Sequence, residues 1–332
     1  MANLPKIRRT RVARRTVTPP QPERTVADVQ RLEAFGLTWL NIEAPSGVDA
    51  QWLAANYDFH ELDMEDVLSR RQQRSKIDEY PDYLFLVLHF PRYDKRTERL
   101  QAAELDVFIA DDLLITLPKE PLKPLSAMWA QCAAREEDRA RHMNKGSGYL
   151  LYELVDRMYD YCFPILNKIG HKLEWIEDQI FEGKSEEVVR DVSNATQEII
   201  NYRKIIKPQR PTLRGLERAT QRYAPDDLEI YFDDIVDKNE RIWDELENAK
   251  EVVEALESTN ESFIRSRQNE LIRVLTMLSA ILLPLTLVTG FYGMNVGGLP
   301  GASHWWGSLV VLGVMAAIGG VMVWFFHRKR WL

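Results

Sequence analysis

The chain has 332 residues, 45% hydrophobic and 28% charged, with a formal net charge of −7 and a negative mean hydropathy. A protein built mainly inside a bilayer would not have this composition. The two cysteines, Cys132 and Cys162, form no CxxC or Cys/His cluster, so neither a disulfide framework nor a structural zinc motif is expected. No nucleophile–base pair or phosphate-binding loop is evident either, which argues against an enzyme and against a bound cofactor.

Residues 1–24 hold seven Lys or Arg and one Glu, a charge of +6, with Pro5, Pro19, Pro20 and Pro22 among them. No apolar core follows, so this is not a secretory signal. It reads as a disordered basic tail; contact with anionic lipid headgroups is one reading, and a simply solvated tail is the plainer one. Residues 265–332 carry +5, which leaves −18 on 25–264. An acidic body next to a membrane segment concentrates cations, and nothing in it suggests a nucleic-acid partner.

Residues 25–125 are expected to form an α/β cytosolic domain. "TWLNI" (38–42), "YLFLVLHF" (83–90), "ELDVFIA" (104–110) and "LLITLP" (113–118) have the β-branched and aromatic content of strands. Asp111-Asp112 fits a tight hairpin turn between the last two. "GVDAQWLAANY" and "ELDMEDVLSRR" read as short helices, the second with Leu62, Val67 and Leu68 on one face.

From 126 to 225 the pattern is helical. One helix is expected to close at Gly183. Ser185, Glu186 and Glu187 should open another that runs to Lys207, where Pro208 and Pro211 stop it. Residues 226–273 form a stalk. Neither proline nor glycine occurs between Pro225 and Pro284. Leu228, Phe232, Ile235, Asn239, Ile242, Leu246, Ala249, Val253, Leu256, Asn260 and Phe263 alternate spacings of three and four, an a/d stripe. Its two asparagines suggest register control in a self-associating helix. A helix from about Asp226 to Gly293 would be roughly 100 Å long at 1.5 Å per residue.

Residues 274–293 and 305–326 are two apolar segments without Asp, Glu, Lys or Arg, each near the ~20 residues that span a hydrocarbon core. Arg265, Arg267 and Arg273 precede the first, and Arg328, Lys329 and Arg330 begin or follow the end of the second within the basic tail 327–332. The loop 294–304 has no charge at neutral pH. Positive residues stay inside, so both termini are expected to be cytoplasmic and the loop to face outward. Trp305, Trp306, Trp324 and Trp331 sit where interfacial aromatic belts form. Two helices cannot enclose a water-filled path, so conduction requires several copies around an axis. Helical spacing back from Gly290 gives Thr286, Leu283 (or Leu282), Ser279, Leu275 and Ile272 as one stripe of the first span. Ser and Thr here either line a path or bond to their own helix backbone. The greasy Leu275 and Ile272 would suit a dewetting gate, and Pro284 removes one backbone bond in mid-span.

Tyr292-Gly293-Met294-Asn295, at the outer end of the first span, resembles the Gly-Met-Asn signature of the CorA family of divalent cation transporters. So does "NELIRVLTMLSAILLPLTLVTGFYGMN" (269–295) along its length, as do "HELDMEDVLSRRQQRSKIDEYPDYLFLVLHF" (60–90) and the terminal "HRKRWL". The resemblance covers about residues 35–332. It implies a funnel-shaped homopentamer in a bacterial-type inner membrane. Each subunit would give an α/β cytosolic domain, a stalk helix and two transmembrane helices, partnered by its own copies, by lipid and by divalent ions. Carried over, Gly293, Met294 and Asn295 form the outer selectivity ring. Ile272, Leu275, Ser279, Leu283, Thr286 and Gly290 line the path, the same stripe that spacing picks out. Neutral carboxamide oxygens at Asn295 would hold an ion through its waters, which magnesium sheds reluctantly; the plainer reading of Asn295 is a helix C-cap. A regulatory metal site at subunit interfaces is also implied. Asp226, Asp227, Asp233 and Asp234 are among the acidic residues available, but no motif selects between them.

The loop "VGGLPGASHWWG" lacks the acidic residue common in magnesium-type members and looks closer to the ZntB branch. That favours Zn²⁺ as cargo, with Mg²⁺, Co²⁺ or Ni²⁺ possible, and leaves a CorA-type magnesium channel as the alternative. His304 is the one loop residue able to bind zinc softly or to titrate near neutrality. A reading of another class is a membrane-anchored scaffold or sensor with little transport.

Overall fold

A computed structural model of the chain describes residues 25–69, 71–94, 96, 99–223, 229–294, 305–329 and 331. It divides into two compact units. The first comprises the described residues up to Pro164 together with Asn201–Asp244; the second comprises Ile165–Ile200 and the described residues from Glu245 on.

The first unit is built on a sheet. Its strands are β1 (Gln30–Ala34), β2 (Leu37–Asn41), β3 (Lys76–Glu79), β4 (Leu84–Asp94), β5 (Arg99–Ala110) and β6 (Leu113–Pro118), in the order β1-β2-β6-β5-β4-β3. All neighbours are antiparallel except β2 and β6. β4 and β5 pair from Leu84↔Ile109 to Asp94↔Arg99, and the expected turn at Asp111-Asp112 joins β5 to β6. β1 and β3, at the edges, are additional to the strands the sequence suggests. Phe35 (φ 53°) and Gly36 (φ 78°) turn β1 into β2, both left-handed as a two-residue hairpin requires.

Side chains alternate across the sheet. Leu40, Phe85, Val87, Phe108, Ile115 and Leu117 pack with Leu53 of α1 (Gly47–Asn56) and Val67 of α2 (Glu61–Leu68). On the other face, Trp39 meets Trp129 of α3 (Lys123–Ala134), ring centroids 4.8 Å apart. Phe90 meets Tyr159 of α5 (Ser147–Phe181) at 5.7 Å. α4 (Glu136–Met143) lies between α3 and α5 in sequence. α1 starts where the buried Asp49 accepts the Ser46 amide at 2.8 Å, the Ser46 hydroxyl at 2.6 Å and the Asp28 amide at 2.9 Å.

The face expected of the second short helix is corrected. Leu62 and Leu68 are exposed, and Asp63 accompanies Val67 inward. Asp63 tolerates burial because Tyr83 Oη donates to it at 2.8 Å and Tyr80 Oη at 3.3 Å. Burial raises the Asp63 pKa above the usual value, and the Tyr83 bond opposes that rise.

Two helix boundaries also differ. α5 ends as expected: Gly183 (φ 84°) and Lys184 donate to Ile180 O at 3.1 Å and Gln179 O at 3.0 Å. The next helix, α6, is Val189–Ile206, so 185–188 form turns rather than helix. After Pro208 the chain resumes as α7 (Gln209–Thr220), followed by a 3₁₀ turn, Gln221–Tyr223. Pro211 lies in the first turn of α7, where its missing N–H has no intrahelical carbonyl to lose. It therefore does not stop a helix.

The long helix α8 is Glu229–Tyr292, and α9 is Gly307–Arg328. An α/β part, a long helix and two apolar helical segments are thus all present, as the sequence leads one to expect. The heptad stripe has a different use. Phe232, Ile235, Asn239 and Ile242 are buried in the part of α8 that belongs to the first unit, and Leu246, Val253, Leu256 and Asn260 in the part that belongs to the second. Leu228 lies outside the described residues, and Phe263 is 40% exposed. In the second unit Phe263 meets Phe181 at 5.9 Å and Arg267 donates to Gly183 O at 3.1 Å. The stripe is covered within a single chain, so it is not what draws copies together.

The two asparagines of the stripe are unequal. Asn239 Nδ2 donates to Tyr159 Oη at 3.2 Å, whereas Asn260 Oδ1 is buried with no hydrogen-bond partner among the described residues. Asn239→Ala is expected to cost about 1–3 kcal/mol, because it strips a buried partner from Tyr159. Asn260→Leu is expected to be neutral or stabilising. Melting of the two full-length variants in detergent checks this, and equal losses would contradict it.

Candidate functional site

The last turns of α8 carry the residues singled out by spacing. Ile272, Leu275, Ser279, Leu283, Thr286 and Gly290 are all exposed in the single chain, Leu283 most at 76%. The opposite face of the same helix is the less exposed one: Met277 is buried, and Ala280, Ile281, Pro284, Leu285 and Val288 are half-buried. The stripe therefore occupies the face that the chain leaves open.

The threonine hydroxyls follow the backbone-bonding reading. Thr276 Oγ1 donates to Ile272 O at 2.7 Å, Thr286 Oγ1 to Leu282 O at 2.8 Å and Thr289 Oγ1 to Thr286 O at 3.0 Å. This spends the proton of Thr286 and leaves lone pairs on its oxygen, an acceptor of the kind that meets a cation or its water. The two readings of these residues are compatible.

Gly293 ends the helix. Its amide donates to Thr289 O at 2.8 Å, and the Met294 amide reaches Phe291 O at 3.4 Å. A Cβ on Gly293 would stand 2.9 Å from Thr289 O, too close to keep, whereas one on Gly290 would meet nothing within 4 Å. Gly293 is thus demanded by its own chain, and Gly290 is not. Met294 is exposed, and Tyr292 contacts the Phe291 ring at 5.6 Å. Asn295 and His304 lie outside the described residues.

Both apolar segments are long and apolar enough to cross a membrane, and they are almost wholly uncovered by the rest of the chain. Surface of that extent calls for lipid or for further copies of the chain. At the end of α9 the Arg328 guanidinium lies 5.5 Å from the Trp324 ring, a charged and aromatic pairing typical of an interface.

Outside these segments, one buried charged group was missed by sequence reasoning. Glu104 and Asp106, two apart on β5, share a face that is otherwise apolar. Lys119 Nζ contacts Glu104 Oε1, lies 3.7 Å from Asp106 Oδ2 and donates to Asp66 O at 2.9 Å and Ser69 O at 3.1 Å. Glu104 Oε2 also accepts the Gln73 amide at 2.9 Å and faces His89 Nε2 at 3.3 Å. Burial pushes Glu104 up, but the bonds from His89, Lys119 and the Gln73 amide outweigh it and hold its pKa below the usual value. Asp106, fully buried, has a pKa raised well above the ordinary range by that burial. The only sequence signal was a pair of acids inside an apolar strand.

Of the acidic residues noted for a regulatory metal, Asp226 and Asp227 lie outside the described residues. Asp234 faces Lys238 Nζ at 3.4 Å, and Lys238 also binds Asp156 at 2.5 Å and Asp160 at 2.8 Å. One internal ammonium thus bridges three carboxylates and offsets part of their charge. Among the described residues no three His, Cys, Asp or Glu side chains converge to hold a metal.

Comparison with known proteins extends over most of the chain. Residues 35–328 match the family described as CorA-like Mg2+ transporter protein. The cobalt/magnesium transport protein CorA of Thermotoga maritima is 29% identical over 297 residues, 89% of this chain and 83% of that protein. The zinc transport protein ZntB of Cronobacter sakazakii is 25% identical over 310 residues, 89% of this chain and 88% of the other. The complete structure of the CorA magnesium transporter from Methanocaldococcus jannaschii superposes with a TM-score of 0.78 at 20% identity, covering 91% of this chain and 93% of that one.

Proposed function

The chain belongs to the family of CorA-like Mg2+ transporter proteins, membrane transporters of divalent cations, and on that premise we propose that it is a homopentamer whose favoured cargo is Zn²⁺. The pore runs between five copies of the last turns of α8, with Asn295 at its outer mouth and both termini in the cytoplasm. The carrying observation is the open stripe on α8. Six residues chosen by spacing all fall on the face that a single chain leaves most exposed, while the opposite face is partly shielded. A path lined by Thr286 oxygens and greasy rings at Leu275 and Ile272 passes a hydrated ion without holding it, and can close by dewetting.

Zinc is favoured by the loop after Gly-Met-Asn. It offers no carboxylate, which would suit a hard ion, and one imidazole at His304, which suits zinc. The second reading, a magnesium or cobalt channel, is favoured by the somewhat higher identity to the cobalt/magnesium transport protein. Flux of Zn²⁺, Mg²⁺, Co²⁺ and Ni²⁺ into proteoliposomes, with and without a pH gradient, separates them. Zinc is expected to move fastest and to respond to the gradient. Magnesium moving fastest, indifferent to pH, selects the second reading. No flux of any ion leaves a membrane-anchored scaffold and ends the transport proposal.

A further inference from the structure

We propose that a cleft in the first unit, between the β4–β5 hairpin and the junction of α6 with α7, binds a soluble organic polyphosphate of nucleotide size. The cleft measures about 600 Å³, within the ~300–1,000 Å³ range of small-molecule sites. Arg74, Arg99 and Lys204 line it from three separate segments, and among the described residues no carboxylate residue lines it. Among the described residues none of these three cations makes an ion pair. In a body whose residues 25–264 carry −18, three cations lining one hollow with no carboxylate among its described residues are conspicuous. They repel until an anion joins them, and guanidinium forks match phosphate oxygens bidentately. An adjoining hollow shares Arg74 and adds Arg71, beside Asp66, which is ion-paired to Lys76 at 2.8 Å, so two guanidinium groups are available there to further phosphates. Leu100, Ile205 and Pro208 give the cleft an apolar side against which a base or hydrocarbon part can lie.

The walls are pinned by buried polar groups. On the near side, the Gln73 amide donates to Glu104 Oε2 at 2.9 Å and Ser75 Oγ lies 3.0 Å from His89 Nδ1. On the far side, the fully buried Gln209 donates from Nε2 to His89 O at 2.6 Å and accepts the His89 amide at 3.1 Å. Asn201 Nδ2 also reaches Leu100 O at 3.4 Å. The segment holding Arg74 and the helix end holding Lys204 are thus set in place before a ligand arrives, which lowers the entropy lost on binding.

The test is titration calorimetry on the full-length protein in detergent, free of divalent metal, with ATP, tripolyphosphate, AMP and inorganic phosphate as probes. ATP and tripolyphosphate are expected to bind once per subunit, about tenfold or more tighter than AMP or phosphate, and to weaken steeply with salt. The triple variant R74A/R99A/K204A should lose about tenfold or more of that affinity at an unchanged melting temperature, and Arg74→Lys with Arg99→Lys should retain part of it. Deletion of residues 1–24, the other basic segment, should change nothing. The proposal is overturned by absence of saturable binding, by binding that survives the triple variant, or by binding that leaves with the tail. Competition by nanodiscs of anionic but not neutral lipid would also overturn it, since the ligand would then be a headgroup. The readout needs no flux, so it can fail while transport stands.

Discussion

Asn295→Ala is expected to cut metal flux at subsaturating concentration by about tenfold or more, while the protein still assembles and melts normally. Hydrogen bonds to a charged partner contribute about 1.5–3 kcal/mol each, and a metal's coordinated waters are polarised donors that behave in this way. In the proposed assembly, removing the carboxamide from every subunit would remove the acceptors that select a hydrated ion from bulk, and each 1.4 kcal/mol is a factor of ten. Asn295→Asp is expected to act differently. A carboxylate ring lowers the concentration for half-maximal uptake and also lowers the maximal rate, since tighter binding slows release. Concentration dependence of uptake in proteoliposomes distinguishes the two. Unchanged, robust flux in Asn295→Ala would remove this residue from the path.

The stripe behind Asn295 was legible because two independent constraints meet there. Helical spacing groups Gly290, Thr286, Leu283, Ser279, Leu275 and Ile272, and the fold leaves that same face open. The heptad pattern further down α8 was legible only in part. Periodicity says that Phe232, Ile235 and Leu246 are buried, not what buries them. The covering surface comes from distant helices of the same chain, which no local pattern reveals.

The strands divide in the same way. β4, β5 and β6 each hold a mainly apolar stretch buried on both faces and announce themselves. β1 has a single apolar branched residue, Leu32, and β3 is four residues long. Both exist because a neighbouring strand offers hydrogen bonds at an edge. Leu62 and Leu68 misled for a related reason: Asp63 took the inward position because Tyr80 and Tyr83, seventeen and twenty residues away, carry hydroxyls to receive it. Polar burial depends on such non-local partners.

The largest stability effect is expected at Lys119. Its ammonium is the cation shared by Glu104 and Asp106 inside the sheet, and Lys119→Met leaves both acids without it. Removing one partner of a buried pair costs about 3–5 kcal/mol, a large fraction of a typical domain's stability. The full-length variant in detergent should therefore melt far below the parent at neutral pH. The two acids respond to pH with opposite sign. Glu104, held below its ordinary value, contributes stability that is present above that value and lost as pH falls through its folded pKa. Asp106, held well above its ordinary value, contributes stability that is present at low pH and lost as pH rises toward its folded pKa. Asp106→Asn keeps the shape and removes the second term, so its melting temperature relative to the parent should increase between pH 5 and pH 8. Neither Asp106 oxygen has a hydrogen-bond partner among the described residues, and the nearest cation is 3.7 Å away, so the charge has little to lose by being replaced. If Asp106→Asn instead loses the same amount at both pH values, the carboxylate is ionised and needed, and Lys119 serves both acids equally.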